Sequence, residues 1–84
     1  MKIQRDSNKL TIDIHGMRVE PARFRLESLI QSCNVEITEI VVIHGYNNGQ
    51  ALKNMVHELQ GPRIKQIRAT YNAGQTSIDL KKKQ

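Results

Sequence analysis

Twice in 84 residues an apolar, strand-like run ends in Ile-His-Gly and gives way to helical spacing. The first instance is Ile14, His15 and Gly16, and the second is Ile43, His44 and Gly45. A strand, a helix and a further strand in one sheet form a right-handed crossover. The repetition therefore commits most of the chain to two such units. Before the first, Leu10, Ile12 and Ile14 alternate with Thr11, Asp13 and His15, so the apolar side chains face inward and the acid and imidazole face out. After it, Ala22, Leu26, Leu29, Ile30 and Cys33 recur at the spacing of an amphipathic helix, which starts near Val19 with Pro21 tolerated in its first turn. Asn34 is read as its stop. Residues 37–44 carry the continuous apolar run 40–43 expected of a central strand buried on both sides. A second helix from about Gln50 buries Leu52, Met55, Val56 and Leu59, and Gly61-Pro62 ends it. Strands at 64–70 and 76–80, joined by the turn-forming YNAGQ, complete the order β-α-β-α-β-β.

With two helices and one core's worth of apolar side chains, this order predicts an α/β chain of the α+β kind. It would be a two-layer sandwich in which a four-stranded mixed sheet carries both helices on one face. The other face would be partly open and would display Asp13 and His15. Residues 1–8 read as a flexible N-terminus, 9–80 as the domain and 81–84 as a basic tail. The single Cys33 excludes an internal disulfide and a cysteine-rich zinc site. Its place on the helical stripe predicts a buried thiol. No apolar run approaches the length of a membrane span, and the N-terminus lacks a signal-peptide core. The expectation is a cytoplasmic monomer with no membrane partner.

The net charge of +5 is unevenly placed. Residues 1–60 hold seven basic and seven acidic side chains, whereas residues 61–84 set Arg63, Lys65, Arg68, Lys81, Lys82 and Lys83 against Asp79 alone. Such a cluster attracts phosphate backbones without reading sequence. A solubilising tail is the other use of a terminal lysine run.

In a sheet with parallel strands, ligands collect at the carboxyl ends, where helix N-termini offer unpaired N–H groups. Both His-Gly pairs fall at that edge. The loop HGYNNGQ tolerates left-handed backbone at Gly45, Asn47, Asn48 and Gly49, and such a loop can turn its amides toward a phosphate. Asp13 would orient His15 as a general acid or base on a phosphodiester, the two side chains lying several ångströms apart on one strand face. His44 would donate to the same phosphate or simply tie a strand end to the next loop. Tyr46 would stack on a base or cover its own loop. His57 reads as solvated. Asp79 shares the outward register and would help Asp13 hold a divalent ion such as Mg²⁺, although two carboxylates are thin ligation.

TIDIHGMRVEPA, VVIHGYNNGQALK and GQTSIDL, in that order over about residues 10–80, resemble the small MutS-related, or Smr, domain. Its marks are a strand ending Leu-Asp-Leu-His-Gly, a His-Gly-x-Gly-x-Gly loop and a closing Gly-x-Thr-x-Val-x-Leu strand. The resemblance implies a fold like the C-terminal domain of a bacterial translation initiation factor. It also implies endonuclease activity, nicking DNA or cutting RNA, with Asp13, His15, His44, Gly45 and Gly49 at the matching functional positions. Asn47 departs from the pattern where the family has glycine, which sets a side chain where a substrate backbone would pass.

The first reading is thus a nucleic-acid endonuclease with Asp13, His15 and His44 at its centre. Gly45, Tyr46, Asn47 and Gly49 would contact the substrate, and Arg63, Lys65, Arg68, Lys81, Lys82 and Lys83 would grip the backbone. RNA suits such a site somewhat better than DNA, since its 2′-hydroxyl is an internal nucleophile. A non-catalytic nucleic-acid-binding module and a protein-interaction module of a repair or ribosome-associated complex are the other readings.

Overall fold

Alternation decides the sheet. In the computed structural model, which describes residues 2–46 and 50–82, five strands and two helices follow in the order β1 (Lys2–Asp6), β2 (Lys9–Asp13), α1 (Val19–Ser32), β3 (Glu39–Ile43), α2 (Gln50–His57), β4 (Ile64–Ala69) and β5 (Gln75–Leu80). The spatial order is β1-β2-β3-β5-β4. β2 and β3 are parallel, while β5 runs antiparallel to both β3 and β4. β4 is therefore parallel to β3 and β2. Both crossovers step in the same direction across the sheet, so right-handedness puts both helices on one face, where α1 and α2 pack on each other.

The core lies between that face and the helices. Leu10, Ile12 and Ile14 meet Ile40 and Val42 of β3 and Ile78 and Leu80 of β5, beneath Ala22, Leu26 and Ile30 of α1 and Leu52, Met55 and Val56 of α2. These are the side chains that helical and strand spacing put inward. The architecture is the α+β two-layer sandwich the sequence predicts, with two corrections.

The sheet has five strands, not four. Residues 2–6, read as part of a frayed end, pair antiparallel with β2 in the register Lys2 with Asp13 and Asp6 with Lys9. A two-residue hairpin loop, Ser7 and Asn8, joins them, with Ser7 at φ 59° in the left-handed region that primed hairpin turns require. The second correction concerns β3. Val41 and Ile43 are only half-buried, because among the described residues no layer covers the second face. The apolar run reflects a central position in the sheet, not burial on both sides.

Arg63 closes the other end of the sandwich. Helix α1 has no basic residue in its last turn, so its terminal carbonyls need donors from elsewhere. The Arg63 guanidinium bonds the carbonyl oxygens of Ile30 in the last turn at 3.1 Å, of the C-cap Cys33 at 3.1 Å, and of Asn34 at 3.0 Å and Ile37 at 3.2 Å in the loop that leads to β3. It also reaches Cys33 Sγ at 2.9 Å, so the thiol is half-buried against a cation and not sunk in the core.

Candidate functional site

Because β2, β3 and β4 are parallel, the segments that follow them meet at one edge. They are residues 14–18, residues 44–46 and the turn 70–74. Gly74 laces two of them together, its carbonyl accepting the backbone N–H groups of His44 at 2.9 Å and Gly45 at 3.1 Å. Gly45 has φ +88°, and a Cβ there would lie 3.5 Å from the Cβ of His15. The two Ile-His-Gly segments are in contact.

Asp13 and His15 are closer than strand spacing predicts. β2 ends at Asp13, and the chain turns through His15 and Gly16, with Met17 N–H bonding the Ile14 carbonyl at 3.0 Å. Gly16 takes φ +79° at the third position of that turn, where a type II turn requires glycine or its equivalent. The turn swings His15 back over the strand end. Asp13 Oδ1 accepts the His15 backbone N–H at 3.0 Å and lies 2.5 Å from Nδ1. That hydrogen bond holds the Asp13 carboxyl below its ordinary range, against the opposing effect of burial. A carboxylate only accepts, so Nδ1 carries a proton and Nε2 is left for chemistry. The His15 side chain is 69% exposed and that of Asp13 30%. An oriented, solvent-facing imidazole can take a proton at Nε2 and return it.

Sequence reasoning missed Lys2. As the register partner of Asp13 it stands on the same sheet face, and Lys2, Gln4, Thr11, Asp13 and Ile43 line a recess of about 150 Å³. The available signal was the polar Asp6-Ser7-Asn8 cluster between two short runs. It was weak because every residue of β1 is exposed and Ile3 is its only apolar side chain. Arg18, also unremarked, is exposed just after the turn, at the N-cap of α1.

His44 lies beneath this surface, 1% exposed. Nδ1 is 3.1 Å from the Gly45 carbonyl and Nε2 is 2.9 Å from Thr76 Oγ1. The carbonyl can only accept, so Nδ1 bears the proton, Nε2 accepts from the Thr76 hydroxyl, and Thr76 Oγ1 accepts from His57 Nε2 at 3.3 Å. Burial lowers the His44 pKa, with the Gly45 bond opposing. Both ring nitrogens are engaged inside the protein, which fits the tie between strand end and loop and leaves no ring atom to meet a phosphate. His57, read as merely solvated, is exposed but bonded into the same chain.

The basic residues divide. Arg63 is spent on the end of α1. Arg68 is held by Asp79, at 2.8 and 3.1 Å, and by Glu39 at 3.1 Å, so its charge is answered within the fold. Neither is the free backbone grip the sequence suggested. Lys65, Lys81 and Lys82 are exposed. Asn47, Gly49 and Lys83 lie outside the described residues.

Asp79 does not join Asp13. It is the register partner of Glu39, four positions along β3 from Ile43, the partner of Asp13. At about 3.3 Å per residue the two carboxylates are separated by most of the strand's length. Hydrogen bonding from Arg68 holds the Asp79 carboxyl below its ordinary range. The two do not form a magnesium site, and among the described residues no group of three His, Cys, Asp or Glu side chains is placed to hold a metal. No helix among the described residues is long and apolar enough to cross a membrane.

The family model for the Smr domain matches residues 12–79. No curated protein matches the chain by sequence. Among solved structures, the chain is similar to the Smr domain of Thermus thermophilus MutS2, with a TM-score of 0.65 and 18% identity over 84% of this chain and 96% of that one. At that identity the likeness speaks to the fold.

Proposed function

The chain belongs to the Smr domain family, a family associated with nucleic-acid binding and nuclease activity, and on that premise we propose that it is an endonuclease working from the open sheet face and its carboxyl edge. The observation that carries the proposal is the short contact between Asp13 and His15, with the imidazole exposed. Asp13 fixes the ring and keeps the proton on Nδ1, and Nε2 of His15 acts as the base. On RNA it would remove the proton of a 2′-hydroxyl. That oxygen then attacks the adjacent phosphorus, and the bond to the 5′-oxygen breaks. The leaving oxygen takes a proton from water, His15 gives up its own to solvent, and the product is a 2′,3′-cyclic phosphate with a free 5′-hydroxyl. RNA asks least of a single oriented histidine, because the nucleophile belongs to the substrate.

Lys2, opposite Asp13, and Arg18, after the turn, supply positive charge beside the pair. Lys65, Lys81 and Lys82 add attraction that does not read sequence. His44 and Thr76 act from below, holding Gly45 against His15, and are positioning residues. The cell compartment that fits this activity is the cytoplasm.

Binding and cutting separate experimentally. Affinity for a fluorescent RNA hairpin should fall steeply with salt, and Asp13→Asn should keep that affinity while losing cleavage. Salt-independent binding, or full cleavage by Asp13→Asn, would overturn the assignment. A second reading, contact with a protein of a repair or ribosome-associated complex, is favoured by Phe24. It is 70% exposed on α1, beside a recess shared with Ile3 and Leu29.

A further inference from the structure

Two aromatic side chains stand in water at the edge that carries the Asp13/His15 pair, and the core explains neither. Tyr46 is 70% exposed, and Tyr71 fully so. Tyr46 is nevertheless fixed. Its hydroxyl donates to Asn72 Oδ1 at 2.8 Å, and the same oxygen accepts the Gly74 backbone N–H at 2.9 Å. The ring lies on Gly74, where a Cβ would sit 3.3 Å from Tyr46 Cε2. Any larger residue would crowd the ring away. One face of Tyr46 is thus held against the β4–β5 turn while much of the ring meets solvent. An aromatic ring already ordered loses little conformational entropy when a flat ligand stacks on it.

Tyr71 precedes Asn72 in that turn and stands at the head of a groove of about 480 Å³ on the open sheet face. Val41 gives the groove an apolar floor. Asn72, Gln75, Ser77 and Arg68 border it with hydrogen-bonding groups. A planar ring with donors and acceptors on its rim matches this combination. Tyr46 also follows Gly45, where a Cβ would lie 3.5 Å from that of His15, so a nucleotide stacked here would be next to the one whose phosphate reaches the pair.

We infer that Tyr46, Tyr71 and this groove bind an unpaired nucleobase beside the cleaved phosphate, so that the substrate class is nucleic acid with bulged, looped or single-stranded nucleotides at the cut. The inference rests on the nucleic-acid reading above. A base inside a continuous duplex keeps its faces against its neighbours and cannot stack on either tyrosine. Duplex RNA would reach only the phosphate-binding part of the surface.

The chain has two tyrosines and no tryptophan, so its intrinsic fluorescence reports on these two rings alone. The test titrates the protein with an RNA hairpin bearing a bulge and with an uninterrupted hairpin of equal charge. The bulged RNA should quench tyrosine emission and bind roughly tenfold tighter, the order of one or two stacked bases. Tyr71→Ala should remove most of that preference and leave the uninterrupted hairpin's affinity unchanged. Tyr71→Phe should retain it. Tyr46→Ala should reduce the same preference, and Tyr46→Phe, which loses only the bond to Asn72, should retain it. Equal affinity for both RNAs, or equal weakening of both by Tyr71→Ala, would overturn the unpaired-base site and leave the phosphate-binding surface standing. Failure to bind either RNA in a salt-sensitive way would overturn both.

Discussion

The side chain on which the site turns is exposed, and the one that supports it is buried. Alternation placed Asp13 on the open face at the end of β2, and it suggested the same outward register for His15, which the structure sets in the turn that follows. Their contact was not legible, because it depends on the turn at Gly16 and not on strand spacing. The role of His44 was undecidable for a similar reason, since the partner that buries it, Thr76, is 32 residues away. Thr76→Ala should leave Nε2 of His44 buried without a donor and destabilise the fold by about 1–3 kcal/mol, measured by denaturant unfolding. The pH dependence follows from the sign of the shift. Burial lowers the His44 pKa below its ordinary 6.5, so as pH falls past that value the unfolded chain takes up a proton that the folded one refuses. The stabilisation is complete above about pH 6.5 and is lost as pH falls toward the lowered folded value. Thermal midpoints between about pH 7.5 and 5 should decline on this limb, and His44→Gln should flatten it.

Among the elements, α1, α2 and β2 to β5 were legible from periodicity because each buries one face. β1 was not. It has no buried residue, a serine where a hairpin turn would favour glycine, and pairing visible only in three dimensions. It covers the edge of β2 and brings Lys2 to Asp13. Deleting residues 1–6 should therefore lower the thermal midpoint and, by baring the β2 edge, promote concentration-dependent self-association in sedimentation. It should also weaken phosphate binding. Arg63 misled in another way. Its charge counted toward a basic cluster, although its guanidinium serves the end of α1. Arg63→Ala strips donors from four carbonyl groups and should cost at least about 2 kcal/mol of stability. Arg63→Lys should recover little of that, since an ammonium lacks the planar fork. Neither change should alter the salt slope of RNA binding in protein that remains folded.

At the scale of the molecule, the sandwich has a helical side that holds it together and an open side free to meet a ligand. Two parallel crossovers bring the Ile-His-Gly segments to one edge, and that convergence was readable from their order. The placement of charge was read less well. Arg68 answers Glu39 and Asp79 across the open face, so part of the C-terminal excess is structural, while Lys2 from the opposite terminus joins the site. The most direct test of the Asp13/His15 assignment is the single-turnover cleavage rate of one labelled, bulged RNA hairpin. Wild-type and His15→Ala proteins would be compared, purified identically, with and without added imidazole. The expected result is cutting by the wild type, a loss of at least roughly a hundredfold in His15→Ala, partial recovery with imidazole, and unchanged RNA affinity. Undiminished cutting by His15→Ala, or no cutting by the wild type on RNA it binds, would contradict a histidine-based endonuclease.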